Sequence, residues 1–246
     1  MSNLPSDSVR KIIIAGNLPH AMEETLQSYG VECIRTEPIK GLPIPLSRHT
    51  DMQLVSPYRG LIVFAPGTSA LVLEALKGVG YELVPGESEL TGTYPGDVAY
   101  NCAVVGSRAF LNPRYTDKRV LELLNKNQIH IVPVKQGYAK CSILILTAEA
   151  IVTADPSIHQ AALQEGLDSL LIPPQQKIRL EGYSYGFIGG SAGLISPTQM
   201  VFFGDYSLLD SWNLIHNHFK KHGVTPMALS PENLVDLGGL IPLCSV

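Results

Sequence analysis

Apolar and polar positions along this chain follow two alternating periods. From Pro19 to Gly30, Ala21, Met22 and Leu26 mark one face of a short helix that the proline can open and the glycine close; Val31 to Arg35 then reads as a strand. The same helix-then-strand grammar returns along the chain. Thr68 or Ser69 caps a second helix carrying Leu71, Val72, Ala75 and Leu76, with Gly78 and Gly80 as stops ahead of Tyr81 to Val84. Thr116 and Asp117 open a third, with Val120, Leu121 and Leu124, ahead of Ile129 to Val134. A fourth follows Asp155 and Pro156, carries Ala161, Ala162 and Leu163, and breaks at Gly166 before Leu170 to Pro173. The fifth carries Trp212, Leu214, Ile215 and Phe219 and ends near Gly223.

A polar or glycine-marked segment and a strongly apolar second strand complete each unit: Leu61 to Ala65, Ala103 to Leu111, Ala150 to Thr153 and Gln199 to Phe203. Lys11 to Ala15, at the opposite end of the chain, is left to partner the fifth unit. Aligning the strand ends puts Asp51, Asp97, Cys141, Gly190 and Gly238 at equivalent places, about 45 residues apart. Such units cannot bury their own faces alone, and an open array leaves two raw sheet edges. The expectation is therefore an α/β fold, a five-bladed propeller in a single domain over 1–246. Its repeats lie near 18–66, 67–113, 114–156, 157–205 and 206–246, and the N-terminal strand, 11–17, closes the ring.

The 246 residues are 45% hydrophobic and 16% charged, against about a quarter charged in an average domain, which leaves apolar surface for a homo-oligomer interface. A net charge of -4 without a basic run gives no electrostatic footprint for nucleic acid. The polar start and the short apolar stretch Ile12 to Ala15 make neither a signal h-region nor a membrane span, so the expected location is the cytoplasm. Cys33, Cys102, Cys141 and Cys244 form no C-x-x-C pair and read as reduced thiols.

In a ring of such units the segments between strands meet at the axis. They are Arg48 to Met52, Tyr94 to Asp97, Tyr138 to Ser142, Ile188 to Gly193 and Asp236 to Gly239. His49 and Asp51, two apart on an extended segment, would face the same way and could share one small ligand; a capping aspartate beside a loop histidine is the competing reading. Asp97 after Pro95-Gly96 is either a third polar group at the axis or a turn aspartate. Cys141 follows Lys140 and opens the apolar run Ile143 to Leu146. A nearby cation would raise its thiolate fraction, whereas alternation along a strand would turn the two side chains apart and leave an inert core thiol. Cys33 and Cys102 read as core. The glycines around Ser191 lack phosphate-loop spacing and read as close backbone packing. His216, His218 and His222 on the last helix could hold a metal, but Lys220 and Lys221 beside them indicate a solvated face, so no metal site is expected. There is no G-x-S-x-G elbow.

Five units with His-x-Asp, a second Asp and a Cys between strands resemble the pentein fold of guanidino-group modifying enzymes: arginine and agmatine deiminases, dimethylarginine hydrolases and amidinotransferases. His49-Thr50-Asp51-Met52 is similar to the family's His-x-Asp segment, and Gly238-Gly239 ahead of Cys244 is similar to the glycine pair before its C-terminal nucleophile. The chain departs from the pattern in order. The family's His-x-Asp comes late and its nucleophile in the last repeat, whereas here His49 lies in the first unit and Cys141 in the third, so Cys244 stands as an alternative nucleophile. The resemblance implies that Asp51 and Asp97 grip a planar guanidinium, with Lys140, Ser191 and Asn101 as further substrate contacts. It also implies that a Cys141 thiolate attacks the central carbon, while His49 protonates the departing amine and later activates water on a thiouronium intermediate. The implied activity is a hydrolase or transferase of a small guanidino or amino-acid-like molecule, needing no cofactor. The ring also resembles a ribosome-binding translation initiation factor, which keeps a non-catalytic binding module as the alternative; the missing basic patch argues against ribosomal contact.

Overall fold

The computed structural model describes residues 4–243. β1 (Lys11–Ile14), α1 (His20–Ser28) and β2 (Glu32–Arg35) come first. The single turn α2 (Thr50–Gln53) then leads into β3 (Leu54–Tyr58), β4 (Leu61–Phe64), α3 (Ala70–Gly78) and β5 (Glu82–Pro85). β6 (Ala103–Val105), β7 (Arg108–Leu111), α4 (Lys118–Lys126) and β8 (His130–Pro133) follow. The single turn α5 (Ala139–Ser142) opens β9 (Ile143–Ile145), β10 (Ala150–Thr153), α6 (Pro156–Gln164) and β11 (Asp168–Leu171). A 3-10 turn, Ile188–Gly190, opens β12 (Ala192–Ser196), β13 (Gln199–Phe202), α7 (Trp212–Lys221) and β14 (Thr225–Ala228), and β15 (Leu240–Leu243) ends the described chain.

These strands form five three-stranded sheets of one design, an antiparallel pair followed by a parallel pair that a helix connects. The orders are β15-β1-β2, β3-β4-β5, β6-β7-β8, β9-β10-β11 and β12-β13-β14. β1 lies antiparallel to β15, with Lys11 opposite Leu243, so the N-terminal strand does partner the last segment of the chain. The pairing otherwise regroups the elements read from sequence. The strand after each helix joins the sheet of the strand before it, and Ala103 to Leu111 is a hairpin turning at Gly106.

Central strands read as unbroken apolar runs because both faces are buried. Ile12 and Ile14 pack with Val201 and Phe203, whereas Ile13 between them packs with Leu54 and Ile62. Likewise Ala109 and Leu111 face Val63, while Phe110 faces Ile143 and Ile151, and Val152 faces Met200 and Phe202. The apolar core therefore divides into five clusters, each shared by two sheets. Third strands lie at the exposed edges.

Each helix seals a cluster with an i, i+4 pair: Met22 and Leu26, Val72 and Leu76, Val120 and Leu124, Ile158 and Ala162, Ile215 and Phe219. Ser69, Asp117 and Asp155 cap their helices by accepting from the first free backbone N–H groups. Leu71, Leu163 and Leu214, read as part of the helical faces, instead point outward at 60, 47 and 54% exposure. One buried pair per helix suffices in helices this short. Among the described residues no helix is long and apolar enough to cross a membrane.

Candidate active site

Four of the five segments singled out in the sequence lead into the first strand of a sheet, the second stops short of β6 and is represented by Asn101, and the side chains and carbonyls of these entries meet in the interior. Thr50 Oγ1 donates to the Gly238 carbonyl at 2.7 Å. Lys140 Nζ donates to the Gly189 carbonyl at 3.3 Å, and the backbone N–H groups of Leu237 and Gly239 donate to Gly190. Asn101 ties the second entry to the first and third. Its side-chain oxygen accepts from the N–H of Lys140 at 2.7 Å and of Cys141 at 3.3 Å. Its amide donates to the Asp51 carbonyl at 3.3 Å and to Cys141 Sγ at 3.2 Å.

Cys141 Sγ in turn donates to Asp51 Oδ2 at 2.9 Å. Burial pushes the Cys141 thiol well above its ordinary range, and the negative charges of Asp51 and Asp236 push it further. Burial also raises Asp51, with His49 and Lys140 pulling the other way. Cys141 and Lys140 lie on the helical turn α5, not on a strand, and Lys140 reaches Gly189 on the far side of the entry.

A cavity of about 250 Å³ opens onto this cluster. Its chemical groups are Cys141, His49, Asp236 and Ser184, and its walls are Leu46, Met52, Leu180 and the rings of Tyr138, Tyr183, Tyr185 and Phe187. Among the described residues no lysine or arginine lines it. His49 is 1% exposed, neither ring nitrogen has a hydrogen-bond partner, and Nδ1 stands 3.9 Å from Asp236 Oδ1. Asp51 Oδ1 is likewise buried and unpartnered. Orphaned polar atoms of this kind are rare in a folded interior and call for a partner such as water or a bound polar group.

Several sequence expectations change in detail. Asp51 lies on the helical turn α2 just after an extended His49, and the two are gathered by Gly238: a Cβ there would sit 2.6 Å from both Asp51 Oδ1 and His49 Cβ. Asp97 does not line the cavity; its Oδ2 accepts the Tyr138 hydroxyl at 2.5 Å, behind that ring. Asn101, not Asp97, is the second entry's contact with the thiol. Ser191 is fully buried and spends its hydroxyl on the Ile188 carbonyl at 2.9 Å. Cys33 and Cys102 are free thiols that burial pushes up to about 12. Cys244 lies outside the described residues.

The group missed in the sequence is Asp236. Its Oδ2 accepts from the Phe187 N–H at 2.8 Å and its Oδ1 from the Gly238 N–H at 3.0 Å, which aims it at His49. The signal was there: Asp236 precedes Gly238 by the same two positions by which His49 precedes Asp51.

Solved structures with the same fold belong to guanidino-modifying enzymes. The inosamine-phosphate amidinotransferase StrB1 from Streptomyces griseus aligns over 99% of this chain and 96% of its own, with a TM-score of 0.59 and 12% identity. The amidinotransferase SxtG of saxitoxin biosynthesis in Microseira wollei covers 96% of both chains at a TM-score of 0.55 and 12% identity. DDAH from Pseudomonas aeruginosa, solved with citrulline, covers 91% of this chain and 93% of its own at 0.52 and 11%. The chain thus has the pentein fold. Within that class it belongs to the family described as "Family of unknown function (DUF6873)", whose model matches residues 13–241. No curated protein matches the sequence.

Proposed function

We propose that this chain is a cysteine-dependent hydrolase or transferase of guanidino or amidino small molecules, built on one five-bladed α/β propeller domain that β1 closes. The five apolar clusters, each shared by neighbouring sheets, support the propeller. The observation that carries the chemistry is Cys141 Sγ at 2.9 Å from Asp51, with His49 and Asp236 opening onto the same cavity.

Two carboxylates beside a protonated thiol make a site that waits for a cation. A guanidinium seated against Asp236, in the field of Asp51 beside the thiol, neutralises the charges that hold the thiol proton in place and so favours the thiolate. The thiol proton passes to His49, and sulfur adds to the central carbon. His49 delivers its proton to the departing nitrogen as the C–N bond breaks, leaving a thiouronium on Cys141. Water, deprotonated by His49, adds to the same carbon, and cleavage of the C–S bond returns the thiolate. An acceptor amine in place of water gives transfer. Asn101 positions the thiol. In this reading the second carboxylate is Asp236, with Asp97 bracing the Tyr138 wall.

The cavity wall also selects the rest of the substrate. Aromatic and aliphatic side chains suit an apolar tail and contribute cation–π attraction, and no lining cation answers a substrate carboxylate. Decarboxylated or alkyl guanidines should therefore raise the melting temperature more than their α-amino-acid counterparts.

The test is Cys141→Ser together with thiol labelling. An amidine-bearing alkylating reagent should modify Cys141 quickly near neutral pH, guanidines should protect it, and a neutral haloacetamide should react slowly. Retained turnover in Cys141→Ser removes the nucleophile. Equally slow labelling of every thiol by both reagents would leave a binding module.

A further inference from the structure

His218 on α7 and His222 just past its end do not form a solvated face. His218 is 8% exposed and the His222 side chain 17%, whereas Lys220 and Lys221 beside them are in water. Spacing of i, i+4 puts His218 and His222 on one side of the helix terminus, with ring centroids 4.8 Å apart. Across from them is Asp168, the first residue of β11 in the neighbouring sheet. Its Oδ2 is 2.6 Å from His222 Nε2 and 4.0 Å from His218 Nδ1, and one ligand atom from each of the three residues lies within 4.8 Å of the others. His218 Nε2 is buried outside hydrogen-bond geometry, with the Ile151 backbone acting on the same ring.

We propose that Asp168, His218 and His222 form a binding site for a divalent cation of the zinc class, fastening β11 to α7. Two imidazoles and one carboxylate are a donor set zinc favours, with water free to take the fourth tetrahedral position. Bond lengths of about 2.0–2.1 Å require the ligand atoms to stand somewhat over 3 Å apart. The His222–Asp168 contact therefore opens slightly and the His218–Asp168 contact closes, both within the reach of side-chain rotation. Lys221 Nζ, 2.6 Å from the same carboxylate oxygen, competes for the site in the metal-free protein. Its side chain is 65% exposed, so the ammonium can move into water as the ion enters. The site is remote in sequence from Cys141 and its occupancy does not depend on the reaction proposed above.

The experiment titrates the chelator-stripped full chain with Co²⁺ and Zn²⁺. Co²⁺ should give the visible bands of a tetrahedral site, Zn²⁺ should abolish them and raise the melting temperature, and Cys141→Ser should leave both responses intact. His222→Gln or Asp168→Asn should weaken binding by roughly 100-fold or more, whereas Lys221→Met should tighten it several-fold by removing the competitor. Circular dichroism confirms that each variant folds. No Co²⁺ bands in the wild-type chain, or bands that persist in the His218→Gln/His222→Gln double variant, overturn the proposal.

Discussion

The entries to β3 and β9 and the entries to β12 and β15 each lead into the first strand of a sheet, yet at the aligned position they are opposites in chemistry. The first two carry buried polar side chains at single helical turns, His49 just before one and Asp51 on it, Cys141 on the other. The second two carry glycine pairs, Gly189-Gly190 and Gly238-Gly239. A Cβ at Gly190 would collide with Asp236 Oδ1, one at Gly189 with the Ile143 carbonyl, and one at Gly238 would meet Asp51 and His49. A repeated backbone at a crowded centre cannot carry a side chain at every equivalent position. The glycines supply the volume that Asp51, His49 and Asp236 occupy.

Exchanging those roles separates chemistry from space. The largest effect is expected for Cys141→Ala, which should reduce kcat/KM by a factor on the order of 10⁴ or more with little change in melting temperature. Gly190→Ala should do the reverse of a clean catalytic knockout. It forces Asp236 aside and should cost about 3–4 kcal/mol of stability, read from urea unfolding. Next comes the contrast between carboxylates: Asp236→Asn should lower kcat/KM by about 100-fold, Asp97→Asn by less than about tenfold. Equal losses in the two would put Asp97 back among the substrate contacts.

The smallest effect is in the pH dependence of stability. Burial holds the Cys141 pKa above the unfolded value of about 8.5, so the folded chain binds that proton more tightly than the unfolded one. The resulting stabilisation is complete below that pH and is lost as pH rises toward the raised folded value. Urea unfolding between pH 8 and 10 should show stability falling with pH, with Cys141 contributing up to about 1.4 kcal/mol per unit. Cys141→Ala should flatten the slope, and a bound guanidine should flatten it in the wild-type chain by lowering the folded pKa. Cys33 and Cys102, also raised, keep a residual slope in both cases.

Local patterns carried much of this architecture. Helix caps at Ser69, Asp117 and Asp155 and the apolar runs of β1, β4, β10 and β13 are written in neighbouring residues, and the repeat register brought His49, Asp51 and Cys141 into one group. The third strand of each sheet was harder to assign, because parallel pairing joins segments a whole helix apart and leaves no local trace. Asp236 lies in an axial segment whose glycine pair alone draws notice in the sequence, and Asp97 keeps its register position while its side chain goes to Tyr138.

By itself the amino-acid order determined the helices, their caps and the apolar strand runs, and offered a small set of candidate residues, since each depends on contacts within a few residues. Tertiary structure alone decided that Asp236 joins His49, that Asn101 replaces Asp97 beside the thiol, and that His218 is buried against β11. Those outcomes depend on which side chains a shared interior has room for, and that space is set by packing between segments far apart in the chain.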